Sequence, residues 1–160
     1  MNKEIVKYSG KSTRMASLMR YVTGFSGLFI LAFGLLKFLP PFKHWYASQI
    51  ILSGTPGYLY WPGQLSEILA GILLLYPLIK YKNLEHRNYQ LSLMAGNLLL
   101  MSIMSAAIIV HTDPHVPASV LPLRIKPPYI PSLFLTLACL NVIYMFRSLN
   151  AAPDLKTDML

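Results

Sequence analysis

The chain has 160 residues, of which 54% are hydrophobic and only 12% charged. Soluble domains carry about 25% charged residues, so the deficit excludes a water-facing helical fold, whose helices need charged outer faces. The net charge of +8 gathers in no compact basic domain, so no nucleic-acid partner is read from it; anionic lipid is the counterpart that it fits.

Residues 1–19 form a polar, basic leader, expected to fray or to lie on the membrane surface. Four apolar stretches follow: Tyr21 to Leu36, Trp61 to Ile79, Leu91 to Val110 and Tyr129 to Phe146. A hydrocarbon core of ~30 Å needs about 20 helical residues, so each stretch spans with a few flanking residues. The first span lacks a small-x-small cleavage site in context and reads as retained. The predicted fold is therefore all-α, a transmembrane four-helix bundle over 20–147, with a tail at 148–160.

Pro40-Pro41 ends the first span. In the outer loop that follows, Lys43 to Leu52 is predicted to form a short interfacial helix, with Trp45, Tyr46 and Ile50 to Leu52 dipping inward. Tyr58, Tyr60 and Trp61 make an aromatic belt where the second span begins. A short charged loop makes spans 2 and 3 antiparallel neighbours. The segment from His111 to Pro131 is too rich in proline for continuous helix, and its apolar residues suggest a lid over the bundle mouth.

Lys3, Lys7, Lys11, Arg14, Arg20, Lys80, Lys82, Arg87, Arg147 and Lys156 fall on one side of this topology; Lys43, Arg124 and Lys126 fall on the other. That imbalance predicts a plasma (inner) membrane protein with both termini in the cytoplasm.

Within this apolar chain Glu67 stands out. A carboxylate at a helix centre in the membrane costs roughly 3 kcal/mol on insertion scales, so it requires a partner. Lys37 supplies one. Counted at ~1.5 Å per residue, Glu67 lies ~9 Å below Trp61 and Lys37 ~3 Å below Leu39, a gap that the two side chains can bridge. Gln64 lies beside Glu67, and His111 closes span 3 at about the level of Lys37. Lys37, Gln64, Glu67 and His111 thus form a candidate polar centre, whose ion pair has two readings: a device that fixes helix register, or a working site for a ligand, proton or quinone headgroup. Gly27 and Gly34 on span 1, and Gly63 and Gly71 flanking Glu67 on span 2, are the candidate helix-packing positions.

Other motifs carry less. His111, Asp113 and His115 resemble a metal cluster, but Pro114 breaks the helix that would align them, and no metal site is predicted. Cys139 is the only cysteine, which excludes the four-helix quinone-linked thiol oxidases, and packing is its expected role. Asn97 and Asn141 are expected to bond to each other between spans 3 and 4.

The run Gly27-Leu-Phe-Ile-Leu-Ala-Phe-Gly-Leu-Leu-Lys-Phe38, the run Gly63-Gln-Leu-Ser-Glu-Ile-Leu-Ala-Gly71 and the proline-rich segment before span 4 resemble the DoxX-like family of four-span membrane proteins. The resemblance covers about residues 20 to 147 and implies Lys37, Glu67 and Gly71 as family-type positions. It implies either an accessory or quinone-interacting subunit of a membrane redox system, or a non-enzymatic scaffold or assembly chaperone. No haem, flavin or thiol motif is present, so quinone is the one cofactor considered, and a protein partner or a second copy of the chain is expected. No enzyme class follows. A transporter ranks last, since four spans without a repeat or a broken helix offer little for alternating access.

Overall fold

A computed structural model describes residues 3–80 and 83–150. The fold is all-α: α1 spans Lys3–Leu36, α2 Phe42–Leu52, α3 Tyr60–Ile79, α4 His86–Thr112 and α5 Tyr129–Asn150. Four of these helices contain segments long and apolar enough to cross a membrane, Ser17–Leu36, Gly57–Ile79, Arg87–Thr112 and Tyr129–Arg147. The chain is a multi-pass, four-span helical membrane protein. The leader differs from expectation, because its backbone continues span 1 as helix from Lys3. Lys82 and the tail from residue 151 lie outside the described residues.

Glycine sets the closest approach in the bundle, between α1 and α3. A Cβ at Gly71 would stand 2.6 Å from the Leu31 Cβ, 2.9 Å from its Cα and 3.0 Å from the Gly27 carbonyl oxygen. Gly27 faces Leu74 and Leu75 in return, and Gly34 faces Ile68 and Glu67. Without a hydrophobic drive between helices in lipid, such bare backbone lets van der Waals contact hold the pair. Helix α3 packs on α4 in the same way, Gly96 lying against Leu73 and Leu74. Helices α1 and α5 touch less, through Phe134 stacked on Phe29 (4.2 Å between centroids) and on Phe25 (5.6 Å).

Pro77 lies inside α3 and has no N–H to give the Leu73 carbonyl. The Ser92 hydroxyl of α4 donates to that oxygen at 3.0 Å, so a neighbouring span meets the acceptor that proline leaves open. Nearby, the Asn141 amide donates to Asn97 Oδ1 at 3.2 Å, and Asn97 donates to the Leu93 carbonyl at 2.8 Å. Around these polar contacts the core is Ile30, Leu74, Leu100, Met104, Phe134 and Ala138. Cys139 is half-buried and unpaired.

Helix α2 returns over one mouth of the bundle, at the end where α1 stops. It buries Tyr46 and Ile50, while Ile51 is 75% exposed and Leu52 also faces out, which corrects the expected inward turn of the whole Ile50–Leu52 run. An 11-residue helix lying on a surface presents one face, and 100° per residue turns Ile51 away when Ile50 points in.

Candidate functional site

The site begins with the helix ends. Helix α1 stops at Leu36, and Lys37 follows in a turn whose backbone N–H still reaches the Phe33 carbonyl at 3.3 Å. Because Gly34 brings α1 against Ile68 and Glu67, the lysine stem leads directly to the carboxylate. Lys37 Nζ donates to Glu67 Oε1, and both side chains are largely shielded from solvent. Removing two charges from water is expensive, and their pairing offsets that penalty.

A third residue completes the arrangement. The Lys37 ammonium lies 3.9 Å from the centre of the Tyr46 ring, a cation–π contact that strengthens when desolvated. The Tyr46 hydroxyl donates to the Tyr60 carbonyl at 3.2 Å, and the two tyrosine rings lie 4.9 Å apart. Burial first, then the Glu67 carboxylate and Tyr60, push the Tyr46 phenol up to about 12. Gly63 passes directly beneath that hydroxyl, which fills the place a Cβ would take. Gly63 is thus covered by α2, whereas Gly27, Gly34 and Gly71 lie between α1 and α3. Tyr60 turns inward from the aromatic belt, while Tyr58 and Trp61 remain exposed.

These groups border a cavity of about 610 Å³ between α1, α3 and α4 at the end of the bundle that α2 covers. That volume lies within the 300–1,000 Å³ usual for small-molecule sites. Its walls are largely apolar, including Phe29, Phe33, Ile103 and Val110, with Lys37, Glu67 and His111 among the polar groups. Most of the side-chain donors around it are already committed to backbone carbonyls. Ser66 donates to Gly63 at 2.7 Å and Ser102 to Leu98 at 3.1 Å. Gln49 donates to Val120. Glu67 Oε2, by contrast, is buried and has no partner among the described residues.

His111 is buried at the end of α4, and its Nδ1 lies 3.3 Å from the Lys126 carbonyl oxygen. A carbonyl only accepts, so Nδ1 carries the proton, and Nε2 of the neutral ring is an acceptor. The residues beyond it fold down as a cap, with Val116 and Leu121 fully buried. Lys126 staples this cap by donating from Nζ to the carbonyls of Asp113 and Val116. His115 goes elsewhere: its backbone N–H donates to Asp113 Oδ1 at 2.8 Å and its ring contacts the same oxygen at 3.1 Å. The backbone contact, foremost, holds the Asp113 carboxyl below its usual range. His111 and His115 therefore serve different partners, and among the described residues no group of three histidine, cysteine or acidic side chains is placed to hold a metal ion.

Of the four residues of the candidate polar centre, the structure brings Lys37, Glu67 and His111 to one cavity. Gln64 is buried on α3, outside that cavity's walls, and its amide has no partner among the described residues. Sequence reasoning missed Tyr46 as the cover on Lys37 and Lys126 as the staple of the cap. The only signal for Lys126 was its place in a proline-rich run beside His111.

Comparison with protein-family models, with curated proteins and with solved structures finds no match to this chain.

Proposed function

We propose that this chain is a DoxX-like accessory or quinone-interacting subunit of a membrane redox system, seated in the plasma (inner) membrane with both termini cytoplasmic. The observation that carries the proposal is the Lys37–Glu67 pair at the wall of a largely apolar cavity of about 610 Å³. A quinone needs an apolar chamber for its ring and tail and a few hydrogen-bonding groups for its oxygens, and this cavity offers both. The resemblance of the glycine, lysine and glutamate pattern in the first two spans supports the family, and the distribution of lysine and arginine supports the orientation. With no redox motif of its own, the chain takes its electrons or substrate from a catalytic partner.

The test is purification followed by lipid extraction. The wild-type protein should retain quinone near one per chain, and Glu67→Gln should release most of it. A quinone-free wild-type preparation would sink this proposal, and if it captured one defined partner it would favour the scaffold role instead.

A further inference from the structure

From the hydrogen-bonding inventory of the cavity we infer that the site prefers the reduced ligand, a membrane-soluble hydroquinone, over the oxidised quinone. The inference rests on the quinone reading above and adds the redox form that the site selects.

One buried group on the cavity wall is an acceptor in want of a donor. Glu67 Oε2 has no partner among the described residues, and Glu67 is 9% exposed. His111, 6% exposed, has its Nδ1 proton engaged by the Lys126 carbonyl, which makes Nε2 an acceptor. Most of the side-chain donors around the cavity are spent, since Ser66, Ser102, Gln49 and Tyr46 all donate to backbone carbonyls. Lys37 gives one N–H to Glu67 Oε1 and sets its ammonium against the Tyr46 ring.

The two redox forms of the ligand meet this wall differently. A quinone carries only carbonyl acceptors, so it leaves the carboxylate oxygen unmet, and leaving a buried polar group unmet is costly. Each hydroquinone hydroxyl donates one hydrogen bond and still accepts another. It can therefore satisfy Glu67 Oε2 while taking a remaining N–H of Lys37. A hydrogen bond to a charged acceptor is worth about tenfold or more in affinity, which sets the expected preference.

The experiment uses the full chain in lipid nanodiscs, titrated separately with decylubiquinol under reducing conditions and with decylubiquinone. The expected result is at least about tenfold tighter binding of the quinol, which raises the midpoint potential of the bound couple by about 30 mV. Glu67→Gln, which replaces the charged acceptor by a neutral amide, should remove the quinol's advantage and bring the ratio close to one. Equal binding, or tighter binding of the quinone, would overturn the preference and leave the quinone site standing. Failure of both forms to bind would overturn the site as well. An unchanged ratio in folded Glu67→Gln would remove the carboxylate from the account, and should that variant not fold, the wild-type ratio decides alone.

Discussion

The Lys37 ammonium rests 3.9 Å from the centre of the Tyr46 ring while donating to Glu67. A residue from α2 thus closes an ion pair formed between the end of α1 and α3. The cover does three things at once: it shields the charges, holds α2 down and forms part of the cavity wall.

Removing the acid should expose how much the pair matters. Glu67→Ala leaves Lys37 unpaired in a site where its side chain is 15% exposed. A loss of about 3 kcal/mol is expected, read as a lower unfolding midpoint in detergent. Adding Lys37→Met should recover much of it. An unchanged midpoint in the single variant would show that the pair contributes nothing to the fold.

Gly63 and Tyr46 should couple. In Gly63→Ala the new methyl group takes the space of the Tyr46 hydroxyl, at an expected penalty of about 1–3 kcal/mol. Tyr46→Phe removes that hydroxyl, so the double variant should be more stable than the sum of the two changes predicts. Strict additivity in a double-mutant cycle would place the tyrosine elsewhere.

The glycines between α1 and α3 should not be equivalent. At Gly71 an added Cβ meets Leu31 Cα and the Gly27 carbonyl, backbone atoms that cannot swing aside, whereas at Gly24 its nearest neighbour is Leu78 Cδ1 at 3.6 Å. Gly71→Ala should therefore destabilise by about 2 kcal/mol, and Gly24→Ala should fall within about 0.5 kcal/mol of wild type. Thermal unfolding of the two variants side by side separates the cases.

The four spans were legible because charge is so scarce that each apolar run is bounded by its own polar flanks. The meeting of Lys37 and Glu67 was legible too, since both depths can be counted from helix ends. Tyr46 was not. Helix α2 carries apolar residues on most of its circumference, among them Phe42, Trp45, Tyr46, Ile50, Ile51 and Leu52, so its pattern does not say which face docks. Gly63 is a packing position as expected, but its partner was not legible, for a related reason. Its spacing of four from Glu67 and eight from Gly71 suggests one seam, yet α1 ends at Leu36 and only α2 is left to cover that level. The hydrogen bond from Ser92 to Leu73 links two spans through the gap left by Pro77, and local sequence offers no sign of it.

Alkaline stability should carry the signature of Tyr46. Its phenol titrates near 12 in the folded protein instead of at the ordinary 10.0, so the folded state holds its proton more tightly than the unfolded chain does. The resulting stability is complete below pH 10 and is lost as the pH rises through about 12. Tyr46→Phe should flatten the fall in unfolding midpoint across that window. An identical slope in both proteins would mean that the phenol is not shielded.

Photolabelling tests the central claim most directly. An azido-quinone irradiated with the protein in nanodiscs, followed by peptide mapping, should place its adducts on α3 around Gly63 to Glu67 and on α4 around Ser102 to His111, and excess unlabelled quinone should abolish them. Adducts confined to lipid-facing residues such as Tyr21 or Ile79, insensitive to that competition, would contradict a quinone headgroup at the Lys37–Glu67 pair.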